Sequence, residues 1–284
     1  MGLKEILVHL DVTPRSALRL DIAADLAVRE SAHLVGVATS DIPSAELFRG
    51  NTMTLLPVSP EQMIARIRSE SAAENAPLEA AFRTCLRVRG LTGEWRIAEG
   101  NPAATLPMHA RYADVTIVGQ PNRYEAHQAS EDAMLASTLL LSGRPVLVIP
   151  FAGEFPSVGQ RVLVAWNASR EATRAVHDAL PLLVRAQTVT VLAINPASDV
   201  GRHGDVPGGD IAAHLAHHGI KVEAAHTVTT DISEGAALLS YAADIGADLI
   251  VSGAYGHSRV REMVFGGVTR TLLNEMTVPV LLSH

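Results

Sequence analysis

Short apolar runs alternate with longer amphipathic stretches along the chain, and the alternation occurs twice. In the second half the apolar runs predict five strands, at residues 162–166, 188–194, 222–228, 249–253 and 278–282. Strands that alternate with helices form right-handed βαβ units around a parallel sheet. We therefore predict an α/β chain of two tandem doubly wound, Rossmann-like domains, each with a five-stranded parallel sheet flanked by helices.

The two halves of the chain are copies of one another. Residues 5–11 resemble residues 161–167, and residues 113–119 resemble residues 247–253. The first match extends without a gap to Val35, which falls on Val191. The first half is longer after its second strand, where turn-forming residues predict an inserted loop: Pro43, Gly50, Pro57 and Pro60.

Glycine and proline also mark a linker between the halves. The segment 151–159 contains Gly153, Pro156 and Gly159, which disfavour regular structure. We predict one domain over residues 1–152, which carries the insertion, and a second over residues 153–284. Within the first domain, residues 61–89 form an amphipathic stretch that Pro77 is expected to interrupt.

Composition and charge narrow the range of functions. Hydrophobic residues make up 48% of the 284 residues and aromatic residues only 4%, which suits parallel sheets buried on both faces. A net charge of −7 argues against nucleic acid as a partner, since binding to its backbone needs a basic face. Cys85 is the only cysteine, which fits a reducing compartment. With no apolar run of ~18 residues and no signal-peptide pattern, we expect a cytoplasmic protein without a membrane span.

A glycine-rich loop follows the fourth predicted strand of the second half. It contains Gly253, Gly256, Gly266 and Gly267, with His257, Arg259 and Arg261 between them. A glycine pair that opens a helix leaves amide groups uncovered where the helix dipole favours an anion. Isolated glycines are explained by turns alone, but the whole set favours a phosphate-binding loop without a Walker lysine.

Residues 247–282 closely resemble the C-terminal signature of the universal stress protein family. The pattern is Gly-x2-Gly-x9-Gly-Ser/Thr, then a helix and a Pro-Val-Leu strand, and here Gly267 replaces the Ser or Thr. The resemblance implies an adenine nucleotide, ATP or else ADP or AMP, with or without Mg²⁺. It also implies a set of binding residues: Ala165, Asn167, Ile194, Gly253, Gly256, His257, Gly266, Gly267, Val268 and Thr269.

The resemblance further implies individual roles within this set. Gly253 would lie against the ribose, and Ile194 would offer its backbone to the adenine edge. Asn167 stands where the family has an aspartate, although an amide can still donate and accept hydrogen bonds. The backbones of Gly256, Gly266, Gly267 and Val268 would face the phosphates.

The first half retains the strand ends but not the glycines. Gly119 matches Gly253, whereas Asn122, Asp132 and Ala133 replace Gly256, Gly266 and Gly267. A carboxylate at position 132 would repel a phosphate. We therefore predict that the first domain is a degenerate copy with a structural or partner-binding role, and that one nucleotide binds per chain.

Other polar groups have simpler interpretations. Asp210, His214 and His218 share one predicted helix face with zinc-compatible spacing, but a solvated face is the favoured interpretation, because no cysteine or distant ligand accompanies them. Asp231 and Glu234 flank Ser233 before a helix, which indicates capping, and Cys85 is interpreted as a packing residue. No catalytic residue and no metal site are assigned.

These observations favour a nucleotide-binding module for stress response or signalling. One alternative is a slow ATP hydrolase or nucleotide-dependent transferase, which would need a positioned base and metal-binding carboxylates. Another is a nucleotide-free interaction scaffold. The apolar last strands, residues 145–149 and 278–282, predict a pseudo-dimer of the two domains. A homodimer and a further protein partner stay open.

Overall fold

The computed structural model describes residues 2–42, 59–123, 128–196, 206–255 and 267–284. Contacts divide the chain into two compact units, an N-terminal unit, Leu3–Ser142, and a C-terminal unit, Gly143–His284, to which Gly2 also belongs. The boundary between the compact units thus precedes the predicted linker. As a division between sequence repeats, the predicted boundary after residue 152 stays a prediction.

The N-terminal unit alternates strands and helices around a parallel sheet. Its sheet has the order β3-β2-β1-β4, and every pairing is parallel. The elements are β1 (Glu5–His9), α1 (Ser16–Glu30), β2 (His33–Ser40), α2 (Pro60–Arg89), β3 (Gly93–Glu99), α3 (Pro102–Ala110), β4 (Val115–Gly119) and α4 (Gln128–Leu141).

The C-terminal unit repeats this arrangement and adds two strands. Its sheet has the order β5-β10-β9-β6-β7-β8. The elements are β5 (Val146–Ile149), β6 (Arg161–Ala165), α5 (Arg170–Leu183), β7 (Thr188–Ile194), α6 (Gly209–His217), β8 (Val222–Thr227), α7 (Glu234–Asp244), β9 (Leu249–Gly253), α8 (Gly267–Glu275) and β10 (Val280–Ser283). The predicted α/β class is confirmed.

The prediction of five parallel strands in each half differs from the structure at β5. This strand ends the first sequence repeat, yet it lies in the C-terminal unit and pairs antiparallel with β10, with Val148 opposite Val280. Both strands are buried along their whole length. Apolar edge strands gain by pairing, because their free N–H and C=O groups then find partners.

The register of the sheets corrects one detail of the repeat. Val8 pairs with Gly36 in the N-terminal unit, whereas Val164 pairs with Val191 in the C-terminal unit. Val191 therefore corresponds to Gly36 and not to Val35, so the ungapped match was wrong by one residue. Side chains along a strand alternate between the two faces of the sheet, so a shift of one residue would move each of them to the opposite face. A Cβ at Gly36 would lie 2.8 Å from side-chain atoms of both Phe82 and Trp95.

Local signals explain the long helix α2. Ser59 and Gln62 form a capping box, and Pro60 occupies the first turn, where a missing N–H costs nothing. The predicted interruption at Pro77 is wrong, because α2 continues through this residue. The predicted insertion at Pro43, Gly50 and Pro57 lies outside the described residues. Among the helices that the structure describes, none is long and apolar enough to cross a membrane.

Candidate functional site

A cavity of ≈ 210 Å³ opens at the carboxyl ends of β6, β7 and β9 in the C-terminal unit. In parallel sheets this is the end at which ligands bind. All predicted site residues that the structure describes line the cavity: Ala165, Asn167, Ile194, Gly253, Gly267, Val268 and Thr269. Gly256, His257 and Gly266 lie outside the described residues.

Asn167 organises the turn between β6 and α5. Its Oδ1 accepts the N–H of Ser169 over 3.1 Å, and the Oγ of Ser169 then caps α5 by accepting the N–H of Ala172 over 3.1 Å. Asp11 makes the same turn in the N-terminal unit, where its Oδ1 accepts the N–H of Thr13 over 2.9 Å. Asparagine therefore preserves the local geometry of the aspartate, while its NH₂ group remains a donor at the cavity.

Packing explains why position 253 is a glycine. A Cβ at Gly253 would lie 2.6 Å from the backbone N of Ala172 and 2.6 Å from the backbone C of Glu171. The absent side chain therefore lets the start of α5 approach the end of β9. By contrast, a Cβ at Gly267 would meet nothing within 4 Å. The role predicted for Gly253 at a ribose stays a prediction beside this structural reason.

The structure adds cavity residues that the sequence did not single out as a site. They are Ser169, Glu171, Ala172, Leu192, Glu234, Leu238 and Ser252, and Trp166 at the strand end lines the cavity as well. Glu171 and Glu234 lie in the first turns of α5 and α7, where a carboxylate also favours the helix dipole. The capping of α7 by Ser233 is confirmed, since its Oγ accepts the N–H of Ala236 over 3.1 Å. From the sequence, Glu234 is explained as part of a helix cap. Only the fold shows that it also lines the cavity.

The lining divides into chemically distinct parts. Leu192, Leu238 and Trp166 offer apolar surface, which suits a flat heterocycle. Glu171 and Glu234 offer carboxylate oxygens that accept hydrogen bonds, and Asn195 donates from Nδ2 to Glu234 Oε1 over 3.3 Å. Gly267, Val268 and Thr269 contribute the first described turn of α8, where the helix dipole favours negative charge. The cavity can therefore hold a ligand with an apolar ring, hydroxyl groups and an anionic end.

The matching positions of the N-terminal unit lie in different surroundings. In the described residues α4 runs Gln128–Leu141, so Asp132 and Ala133 lie inside the helix, beyond the four N–H groups that a helix start leaves free. Burial raises the pKa of Asp132, whose Oδ2 accepts from Gln128 Nε2 over 3.4 Å. The position inside the helix disfavours phosphate here, because the backbone N–H groups are already engaged in helical hydrogen bonds.

The predicted histidine face of α6 has an additional neighbour. The rings of His214 and His218 are 5.0 Å apart between centroids, and His177 of α5 lies 5.3 Å from His214. Burial, and then the neighbouring histidines, lower the pKa of His214. Within the part of the chain that the structure describes, no group of three or more His, Cys, Asp or Glu side chains is arranged to hold a metal ion.

Comparison with known sequences identifies related proteins. The model of the universal stress protein family matches residues 159–284. A universal stress protein of Synechocystis sp. is 42% identical over 45 residues, and this match covers 16% of this chain and 16% of that relative. The curated relative is thus matched over a small part of its length.

Comparison with solved structures covers nearly the whole chain. A universal stress protein from Archaeoglobus fulgidus DSM 4304 superposes with a TM-score of 0.75 at 19% identity, over 98% of this chain and 95% of that one. An additional match is a putative universal stress protein from Pseudomonas aeruginosa UCBPP-PA14, with a TM-score of 0.58 at 14% identity, over 99% of this chain and 93% of that one. At these identities the likeness establishes a shared fold over the full length.

Proposed function

We propose that the C-terminal unit binds one adenine nucleotide, from the premise that residues 159–284 match the model of the universal stress protein family. The protein would act as a stress-response or signalling module whose state depends on that ligand. The observation that carries the proposal is the cavity at the strand ends, into which every described residue of the predicted site converges.

In this proposal the nucleotide spans the cavity from β7 to α8. The adenine ring packs against Leu192, Leu238 and Trp166, near the backbone of Ile194, and the ribose lies towards Asn167 and Gly253. The phosphates point to Gly267, Val268 and Thr269, where the helix dipole favours their charge. Gly256, His257 and Gly266 would complete the phosphate contacts, as the sequence pattern predicts.

Two measurements on the purified full-length chain test the proposal. Mass spectrometry of small molecules released from the native protein should detect AMP, ADP or ATP. Isothermal titration with ATP should give one site per chain, and Trp166 fluorescence should change as the cavity fills, because this side chain lines it. Absence of both released nucleotide and titratable binding would contradict the proposal.

The two carboxylates keep the hydrolase alternative open. Glu171 and Glu234 provide the hard oxygen ligands that Mg²⁺ prefers, and a Mg²⁺–ATP complex needs such ligands for phosphoryl transfer. Steady-state ATP turnover with Mg²⁺ distinguishes the two functions. Turnover that disappears in both Glu171→Gln and Glu234→Gln, while binding persists, would favour an enzyme over a binding module.

We also propose that the two repeats form an intramolecular pseudo-dimer in the cytoplasm. The antiparallel pairing of β5 with β10, the last strands of the two repeats, supports this arrangement. Light scattering coupled to size exclusion should then give the mass of one chain, whereas twice that mass would indicate a homodimer. The interaction-scaffold alternative predicts partner binding that ATP does not change.

A further inference from the structure

Arg19 is a buried charge in the N-terminal unit. Its side chain is only 3% exposed, and its guanidinium contacts three groups at the carboxyl ends of β1 and β4. Nη2 lies 2.5 Å from the Asp11 carboxylate, and Nε donates to the backbone oxygen of His9 over 3.2 Å. A Cβ at Gly119 would lie 2.6 Å from Nη1, so the guanidinium also packs directly against this glycine.

These three contacts correspond to the candidate site of the C-terminal unit. In the repeat, His9, Asp11 and Gly119 match Ala165, Asn167 and Gly253. The pairing of Ile6 with Val115 and of Val162 with Leu249 supports this correspondence. All three counterparts line the cavity of the C-terminal unit. Arg19 itself matches Ala175, a buried alanine that cannot reach the strand ends.

We propose that the strand-end site of the N-terminal unit is a guanidinium-binding site, and that Arg19 of the same chain occupies it permanently. The ligand class of this site is a planar alkylguanidinium cation, and the chain carries its own. The C-terminal unit has no such internal occupant at Ala175, so its corresponding site is open to a ligand from solution.

The chemistry of the surrounding groups fits a cation. Asp11 supplies the negative charge, and the His9 carbonyl supplies a second acceptor. Burial on its own would raise the pKa of Asp11, but the nearby Arg19, with His9 and Thr13, lowers it, so the carboxylate stays ionised. A guanidinium presents several N–H donors in one plane and retains its charge when buried.

Removal of the internal occupant should create a site that a small molecule can refill. Arg19→Ala removes the atoms of one ethylguanidinium ion, so ethylguanidinium chloride is the matching probe. Ethylurea has nearly the same shape without the charge and serves as the control compound. Trp95 reports on the N-terminal unit when Trp166 is replaced by Phe, because these are the only tryptophans.

The experiment measures the urea midpoint of the Trp95 transition in full-length protein against compound concentration. Arg19→Ala should show a lower midpoint that ethylguanidinium raises saturably and ethylurea does not. Arg89→Ala is the control variant, since Arg89 pairs with Asp21 and Asp25 while 35% of its side chain is exposed. Its midpoint should show no saturable response.

Two further results decide the outcome. In Arg19→Ala with Asp11→Ala the apparent affinity for ethylguanidinium should fall at least ~tenfold, because the charge partner is gone. If Arg19→Ala does not fold, the same compounds are compared by recovery of the Trp95 signal on refolding. A response to ethylurea equal to that to ethylguanidinium, or no saturable response to either, would overturn the proposal. Neither readout involves a nucleotide, so failure here is separate from failure of the proposed function.

Discussion

The two units share one fold but treat the same strand ends differently. In the N-terminal unit an arginine, an aspartate and a buried histidine meet there, whereas the C-terminal unit has Ala175, Asn167 and Ala165 at the matching positions. The first set satisfies its own charges, and the second leaves a cavity of ≈ 210 Å³. The difference shows that a few polar substitutions decide whether a shared fold encloses a self-contained ion pair or an open site.

Exchange of the residue types at the two matched strand ends, Asp11 and Asn167, should have the largest effect on stability. Asp11→Asn leaves the buried Arg19 without its charge partner, so the free energy of unfolding of the N-terminal unit should fall by about 3 kcal/mol. Asn167→Asp keeps the Asx turn at an exposed position and should change the C-terminal unit by less than about 1 kcal/mol. Urea unfolding followed by Trp95 in Trp166→Phe, and by Trp166 in Trp95→Phe, measures the two effects. Equal losses would show that Arg19 does not depend on Asp11.

Replacing the two matched glycines, Gly253 and Gly119, should distinguish a close contact with backbone atoms from a close contact with a side chain. Gly253→Ala places a methyl group 2.6 Å from backbone atoms of α5 and should cost about 2 kcal/mol. Gly119→Ala meets the far end of the Arg19 side chain, which can shift, so about 1 kcal/mol is expected. The same pair of single-tryptophan proteins serves as background. A smaller loss for Gly253→Ala than for Gly119→Ala would contradict the packing argument.

Acid should destabilise the N-terminal unit selectively. Burial lowers the pKa of His9 to about 4, against the opposing effect of Asp11 and with a smaller lowering effect of Arg19. The ring also contacts Thr39, with Nε2 3.2 Å from Oγ1. Because the unfolded histidine titrates near ~6.5, the unfolded state binds more protons between these pKa values, so stability falls as the pH falls.

The expected loss from pH 7 to pH 5 is about 2 kcal/mol for this one group. Asp11 adds to the loss only at lower pH. Because its pKa is lowered in the folded state, its contribution to stability is complete above the ordinary aspartate pKa of ~3.9 and is lost as the pH falls below that value. Urea unfolding at the two pH values, with Trp95 as the probe, measures the change. His9→Gln should reduce the pH dependence, and the same slope in His9→Gln as in the parent protein would exclude His9 as its source.

A charge at the start of α8 should give the smallest effect, confined to ligand binding. Gly267→Asp places a carboxylate beside the proposed phosphates and should weaken ATP binding about tenfold relative to Gly267→Asn, which has nearly the same shape. Neither side chain meets a close neighbour at its Cβ, so stability should be similar in both variants. Titration with ATP and adenosine completes the test, since adenosine should not distinguish the two variants.

Hydrophobic periodicity and the repeat were sufficient to predict the fold class and several of the strands. The strands predicted at residues 188–194 and 249–253 are confirmed as β7 and β9, because continuous apolar runs between helices are typical of parallel strands. The glycine pattern and the strand ends also predicted residues that do line one cavity, among them Asn167 and Val268.

Contacts between distant residues decided what the sequence left open. The pairing of β5 with β10 depends on two apolar edges meeting, and the absence of a side chain at Gly36 depends on the space that Phe82 and Trp95 occupy. Sequence shows Arg19 as one more charged residue of an amphipathic helix. Only the tertiary structure brings its guanidinium to Asp11 and Gly119, because α1 packs against β1 and β4 and the buried side chain is shielded from water.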